Sequence, residues 1–318
     1  MAGFVVGRIA SSVVAFLALT LFVFVALYAA PRSQGRFARR APVEYRIHGS
    51  VAGEYTHYLW RLVRHADLGR SYETREAVSA RLVRAAPVTA SLVVGGLVVW
   101  LLISVPLGLL AAARPRSKLD RGATVLVLVG LSAHPLWLGL VLSYFFGHTL
   151  SILPAEGYCS VGNLSTGCDG LGRWVTHLIL PWCTFGLVNA ALFTLMIRSL
   201  VLDELGADYV RTAIAKGAGS FRIVRAHVLR NVTVPLVTML GVQAATSLAG
   251  VVFIESAFDL PGLGGMLRTS AQRGDLPLTI GSVVFLALAV MVLNLLVDVS
   301  YLFVDPRLRG SARGEAPE

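Results

Sequence analysis

Six stretches of at least 22 residues contain no Asp, Glu, Lys or Arg: 9–31, 85–113, 122–155, 174–197, 231–254 and 276–297. About 20 apolar residues in a helix cross the roughly 30 Å hydrocarbon core of a bilayer. Within that core every backbone N–H and C=O must be satisfied inside a helix or a closed barrel. A membrane barrel is built from segments of about 10 residues of alternating polarity, and these runs are continuous. The sequence therefore predicts an all-α membrane protein with six transmembrane helices. Composition agrees: 55% of the 318 residues are hydrophobic and 14% charged, and mean hydropathy is +0.70, too apolar for an ordinary soluble domain. The first run is preceded by Arg8 and closed by the small residues of LYAAPRS, as a signal peptide is. Its length exceeds the roughly 7 to 15 residues of a signal-peptide core, so it is read as a helix.

Basic residues in short connecting loops mark the cytoplasmic side. The loop after the second run holds Arg114, Arg116, Lys118 and Arg121, and the loop after the fourth holds Arg198, Arg211, Lys216, Arg222, Arg225 and Arg230. The loop after the third run has only Arg173, and that after the fifth only Arg268 and Arg273. Both termini are thus expected in the cytoplasm. Region 32–84 is then external despite its 11 arginines; a segment of that length lies near the limit beyond which the charge rule loses force. The expected organisation is a first transmembrane helix at 1–31, an external segment at 32–84, a five-helix core at 85–309 with a loop at 200–230, and a cytoplasmic tail at 310–318. The net charge of +10 is spread over both faces of the membrane without a recognition motif, so it does not indicate nucleic acid.

In the external segment, Tyr55, Tyr58, Leu59, Leu62 and Val63 recur at helical spacing, which predicts an amphipathic helix lying in the outer interface. DLGRSY breaks it at Gly69, and 74–84 reads as a second short helix leading into the next span, with Pro87 near that span's first turn. His48, His57 and His65 have no Cys or close His partner and read as interfacial polar groups, so no metal site is expected. Cys159 and Cys168 share one Gly-rich external loop. A disulfide between them would contribute about 2 to 3 kcal/mol, and the spacing leaves bonded and free thiols both open. Cys183 reads as a packing residue. The few polar groups singled out in the expected spans are His134, Asn189, Gln243 and Asn294, with Asp298 toward the inner end of the sixth. They form no chain of ionisable groups, which argues against a proton-coupled carrier. The Ser/His, paired-carboxylate and His-Glu-x-x-His patterns of a membrane-embedded enzyme are also missing from the sequence.

The stretch DYVRTAIAKGAGSFRIVRAHVLRN, 208–231, is a basic helical hairpin between two apolar runs. Asp203 and Glu204 place negative charge near a helix start, Gly217 can take the left-handed conformation that ends a helix, and Ser220 can cap a second one. Small residues Ala213, Ala215 and Gly217 permit close approach by another protein. On the residues alone, a plain basic connector that satisfies the positive-inside rule is the favoured reading.

The segment DELGADYVRTAIAKGAGSFRIVRAHVLRNVTVPLVT resembles the cytoplasmic loop of permeases of type I ABC importers, in the dipeptide, oligopeptide and nickel permease family. The pattern falls on Gly206, Asp208, Tyr209, Val210, Arg211, Thr212, Ala213, Ala215, Lys216, Gly217, Leu229, Arg230 and Asn231. A second similar block, ESAFDLPGLGGMLRTSAQRGDLPL, corresponds to the family's external segment bordering the translocation path. HLILP and DLGRSY are shorter similar pieces. Where relatives carry Gly-Asp-Pro after the first span, this chain has APRSQGRFARR.

The resemblance implies the type I ABC importer transmembrane fold and a coupling helix at Gly206, Asp208, Tyr209, Arg211, Thr212, Ala213, Ala215, Lys216 and Gly217. It places Glu255, Pro261, Gly262 and Gly264 at an external gate. It further implies a second homologous permease, two ATP-binding subunits and an external solute-binding protein as partners, in a plasma (inner) membrane. The chain contains no G-x-x-x-x-G-K-[ST] motif, so no cofactor is expected in it, with ATP and Mg²⁺ held by the partner subunits. The implied function is import of di- or oligopeptides, with nickel or another small solute as the alternative.

Overall fold

The computed structural model describes residues 2–29, 51–65, 67–160, 170–217, 219–224 and 228–304. The described residues form eleven α-helices: α1 Ala2–Ala29, α2 Val51–His65, α3 Val78–Ala113, α4 Lys118–Ser132, α5 Pro135–Leu142, α6 Leu171–Leu205, α7 Asp208–Ala215, α8 Ser220–Ile223, α9 Leu229–Ala257, α10 Leu263–Arg273 and α11 Leu276–Val304. A π-helical segment, Ser143–Thr149, continues α5. The architecture is all-helical, as expected. Among the described residues four helices are long and apolar enough to cross a membrane, or five if α4 and α5 form one bent span, and α1 carries the shorter apolar run Ala10–Ala26.

The centre of the molecule is the pair α3 and α6, of 36 and 35 residues. At 1.5 Å per residue each is roughly 50 Å long, more than the hydrocarbon core requires. They meet through small residues, as membrane helices do when van der Waals contact is the main attraction. A Cβ on Gly96 would stand 2.6 Å from the Phe185 ring, and one on Gly186 would stand 2.6 Å from Val99. Trp100 is fully buried in the same seam and meets Phe193 edge-on at 5.3 Å. Trp182 Nε1 donates to Ser91 O at 2.9 Å across it.

Three sequence expectations change. The predicted short helix at 74–84 is the start of α3 itself, and Pro87 lies inside that helix. Val78, Leu82, Ala85, Thr89 and Leu92 are all buried, so one apolar stripe runs straight past the proline and outweighs the backbone bond it removes. The single span expected at 122–155 is broken: α4 and α5 are bent by more than 40° at 133–134. His134 precedes Pro135, whose ring disfavours helical backbone at the residue before it, and takes φ −72°, ψ 137°. Its Nδ1 accepts from Leu136 N at 3.2 Å, capping α5. The third change concerns α2, whose tyrosine face turns onto protein. Tyr55 Oη donates to Leu17 O at 3.0 Å, and Phe24 lies 5.5 Å from Tyr55 and 5.9 Å from Tyr58. Trp60 and Arg64 form the exposed side, stacked at 5.2 Å.

The 67–76 segment is anchored by Asp275, 2% exposed. Its carboxylate accepts from Ser71 Oγ and from Tyr72 N at 3.1 Å, which ties DLGRSY to the turn between α10 and α11. Arg273 to Glu73 at 2.7 Å reinforces the junction at the surface. Cys159 is buried and disulfide-bonded; Cys168, its expected partner, lies outside the described residues, as do His48, APRSQGRFARR and the 310–318 tail. Cys183 is a free thiol.

Gly96→Val is expected to destabilise the detergent-solubilised protein by about 1 to 3 kcal/mol through overpacking, read as a lower thermal midpoint. Gly122→Ala, where nothing lies within 4 Å of a new Cβ, is expected to leave the midpoint unchanged or slightly raised.

Candidate functional site

The hairpin begins where α6 ends. Gly206 and Ala207 turn the chain, and α7 runs over Asp208–Ala215 with Asp208 in its first turn. Asp203 and Glu204 belong to the last turn of α6, not to the start of the hairpin helix as expected. Lys216 N donates to Thr212 O at 3.1 Å and Gly217 N to Ile214 O at 2.9 Å. Gly217 has φ +82°, the left-handed conformation that closes a helix and favours glycine. The second arm opens at Ser220 itself, where the sequence suggested a cap; Gly219 O accepts from Ile223 N at 3.1 Å. Ala218 and Arg225 lie outside the described residues.

One face of α7 is held and the other is open. Val210 is fully buried, in the same core cluster as Val201, Ile223, Val228 and Val232. Glu204, Tyr209 and Asn231 close a polar triangle: Tyr209 Oη donates to Glu204 Oε1, while Asn231 Nδ2 donates to Glu204 Oε1 at 2.7 Å and to Tyr209 Oη at 3.2 Å. Burial and the bond to Glu204 hold the Tyr209 phenol above its usual range, so it remains a donor at neutral pH. These contacts clamp α7 to the end of α6 and the start of α9. The outward face presents Arg211, Ile214, Ala215, Lys216 and Gly217, and Ile214 is 58% exposed. Asp208 and Arg211 pair at 3.6 Å in full solvent contact, a pair of little energetic weight. Nearby, Arg198 grips Asp120 through Nε at 2.6 Å and Nη2 at 3.0 Å, and Asp120 also accepts from Arg116 N at 2.9 Å. This forked pair joins the start of α4 to α6.

The second set of expected residues converges at the other end of α9. Glu255 is 0% exposed. Its Oε1 accepts from Thr89 Oγ1 at 2.6 Å and its Oε2 from Gly265 N at 2.9 Å, at the N-terminus of α10, where unpaired N–H groups favour an anion. Thr89 Oγ1 in turn accepts from Leu263 N at 2.8 Å. The glycines give the carboxylate its room. A Cβ on Gly262 would lie 2.2 Å from Glu255 Oε1, and one on Gly264 2.5 Å from Val252 Cα. Glu255, Gly262 and Gly264 thus form a buried cage joining α9, α10 and α3, with Pro261 at its exposed rim. The carboxylate is committed to these bonds and is not presented to an open channel.

Sequence reading missed Thr89, Asp275, Asp120 and the roles of Glu204 and Asn231 as clamps. Thr89, Asp275 and Asp120 act chiefly on partners distant in sequence, such as Thr89 with Glu255 166 residues away, and Glu204 and Asn231 meet across 27 residues. Ile214 could have been found as an apolar residue four positions after Val210 in a short helix otherwise rich in small and polar residues.

Residues 104–310 match the family described as binding-protein-dependent transport system inner membrane component. The chain is similar to the dipeptide transport system permease protein DppB of Escherichia coli strain K12, at 35% identity over 273 residues and 80% of each chain. It is 36% identical over 267 residues to the probable D,D-dipeptide transport system permease protein DdpB of the same strain, covering 79% of this chain and 78% of the relative. To the oligopeptide transport system permease protein AppB of Bacillus subtilis it is 33% identical over 319 residues, covering 97% and 99%. The family match contains both the hairpin and Glu255.

Thr89→Val leaves Glu255 Oε1 and Leu263 N without their shared partner and is expected to lower stability by about 3 kcal/mol. Thr89→Ser keeps the hydroxyl and is expected to stay within about 1 kcal/mol of the parent. Denaturation midpoints of the purified protein in detergent check both.

Proposed function

The chain belongs to the binding-protein-dependent transport system inner membrane components, and from this membership we propose that it is the translocation-pathway subunit of an ATP-driven importer of di- or oligopeptides. It is a membrane transport subunit of the inner membrane. In this reading α1 and the bent α4–α5 pair each count as a span, giving six, with both termini in the cytoplasm. The domain division is that of the sequence: first helix at 1–31, external segment at 32–84, core at 85–309 and tail at 310–318. A second permease completes the path, two ATP-binding subunits hydrolyse ATP with Mg²⁺, and an external binding protein delivers the peptide. The names of the relatives, two dipeptide permeases and one oligopeptide permease, support the substrate class.

The observation that carries the coupling assignment is the two-sided hairpin. Its inner face is clamped by Val210 and by the Glu204–Tyr209–Asn231 triangle, and its outer face leaves Ile214 and the Ala215–Lys216–Gly217 corner exposed. A helix inserted into a cleft would bury Ile214 there as an apolar anchor. Movement of that cleft during hydrolysis is transmitted through the clamp to α6 and α9. Helix α9 carries it across roughly 36 Å from Asn231 to the Glu255 cage at 1.5 Å per residue. Glu255, Pro261, Gly262 and Gly264 then act as the hinge of the external gate, α10 moving with α9 and not independently of it.

Ile214→Glu is expected to preserve membrane insertion and to reduce peptide-stimulated ATPase activity of the reconstituted transporter at least about tenfold, as loss of a central interface anchor does. Gly217→Val, which forces a β-branched residue into the left-handed region at about 1 to 2 kcal/mol, is expected to uncouple in the same assay. Full stimulation in both variants contradicts the docking role.

A further inference from the structure

Beside the Glu255 cage, at the same end of the molecule, two adjoining cavities of about 250 and 350 Å³ share Arg81, Pro261 and Met266 in their walls. Their sizes together match an ordinary small-molecule site. The polar lining consists chiefly of donors that have few acceptors among the described residues. Arg81 donates through Nη1 to Ser71 Oγ at 3.5 Å and Thr74 Oγ1 at 3.3 Å. Arg268 donates through Nη1 to Gln272 Oε1 at 3.4 Å, and its buried Nε has no acceptor among the described residues. Arg84 has a loose, exposed pairing with Glu76 at 3.7 Å. Tyr158 Oη accepts from Trp174 Nε1 at 3.0 Å, which leaves its own hydrogen to donate.

Against these stand two acids. Glu255 is fully committed inside its cage, and Asp259 is exposed at the rim of the smaller cavity without an ion pair among the described residues. Three guanidinium groups and a phenol around these adjoining cavities, with a single available carboxylate at the edge among the described residues, describe a site suited to an anion. Buried unsatisfied donors call for such an explanation, and a guanidinium is shaped to bind a carboxylate through two parallel hydrogen bonds.

We propose that this cleft is a peptide-binding station of the permease itself, in which Arg81 and Arg268 hold the peptide's C-terminal carboxylate and Asp259 takes its α-ammonium group. The substrate part of this inference rests on the peptide-import reading above. The cleft lies directly against the cage, because Arg81 is on α3, Met266 and Arg268 are on α10, and Glu255, Gly262 and Gly265 form part of the same wall. A carboxylate seated there draws α3 and α10 together at the point where the cage joins them. Occupancy and the closed state of the outer end are thereby coupled.

The test uses the complete transporter in phosphatidylcholine proteoliposomes without its binding protein. The permease carries Met266→Cys as a reporter in both cavities and Cys183→Ser to remove the free thiol. Alanine peptides of two to five residues at millimolar concentration are expected to slow maleimide labelling at position 266 at least about fivefold, in proportion to charge-assisted carboxylate binding. Their C-terminal amides are expected to slow it less than about twofold. Arg268→Gln and Arg81→Gln are expected to abolish the protection, and Arg268→Lys to retain part of it. Protection that is absent, equal for the amides, or undiminished in the glutamine variants overturns the inference. Slowing by phosphatidylglycerol in the vesicles with no effect of peptide assigns the anion to a lipid headgroup and overturns it as well. Uptake of the same peptides, measured with binding protein added, tests the import reading separately: protection without uptake removes that reading and leaves the cleft as a carboxylate site.

Discussion

A carboxylate withdrawn from water at the end of a membrane helix is tolerable only when its oxygens are hydrogen-bonded. Glu255 imposes that condition on everything around it. Thr89 must supply a hydroxyl from α3, the N-terminus of α10 must supply a backbone N–H, and Gly262 and Gly264 must lack side chains for these groups to approach. The consequence is that α3, α9 and α10 are joined by a directional polar bond in a region where apolar contacts between membrane helices are otherwise weakly specific. Asp275 repeats the device at the far end of α10, binding the DLGRSY segment to the start of α11. This end of the molecule is held by two buried acids and the backbone they cap.

The opposite end is held differently. The Glu204–Tyr209–Asn231 triangle lies at the surface, and the Arg198–Asp120 fork joins a buried acid to a half-buried guanidinium. What they provide is geometry: a short helix with a buried Val210 on one side and an exposed Ile214 on the other. Helix α9, of 29 residues, connects the ends, with Asn231 in the lower clamp and Glu255 in the upper cage. A continuous helix held by polar contacts at both ends links the two sites, which is what an importer needs if events at a cytoplasmic cleft are to open or close an external mouth.

The helical class and the place of the hairpin were legible because they depend on local signals: charge-free runs long enough to span, and a glycine after Lys216 where a left-handed residue is required. The broken span at His134–Pro135 was legible in principle, since the residue before proline resists helical backbone, but the uninterrupted apolar run masked it. The cage was only half legible. Glu255 and its glycines stand within ten residues of one another, whereas Thr89 belongs to another helix and is chosen by packing. Tyr55 and Tyr58 were read as interfacial because amphipathicity defines an apolar face without saying whether lipid or protein covers it; Phe24 and Leu17 of α1 decide that here.

The central claim is that the exposed face of α7 docks on a cytoplasmic ATP-binding subunit. Cross-linking from Ile214→Cys with a short bifunctional thiol reagent in intact cells tests it most directly. The account predicts a covalent adduct with an ATP-binding subunit and no reaction of position 214 with a membrane-impermeant maleimide applied from outside. Labelling from outside the cell, with no such adduct, contradicts it.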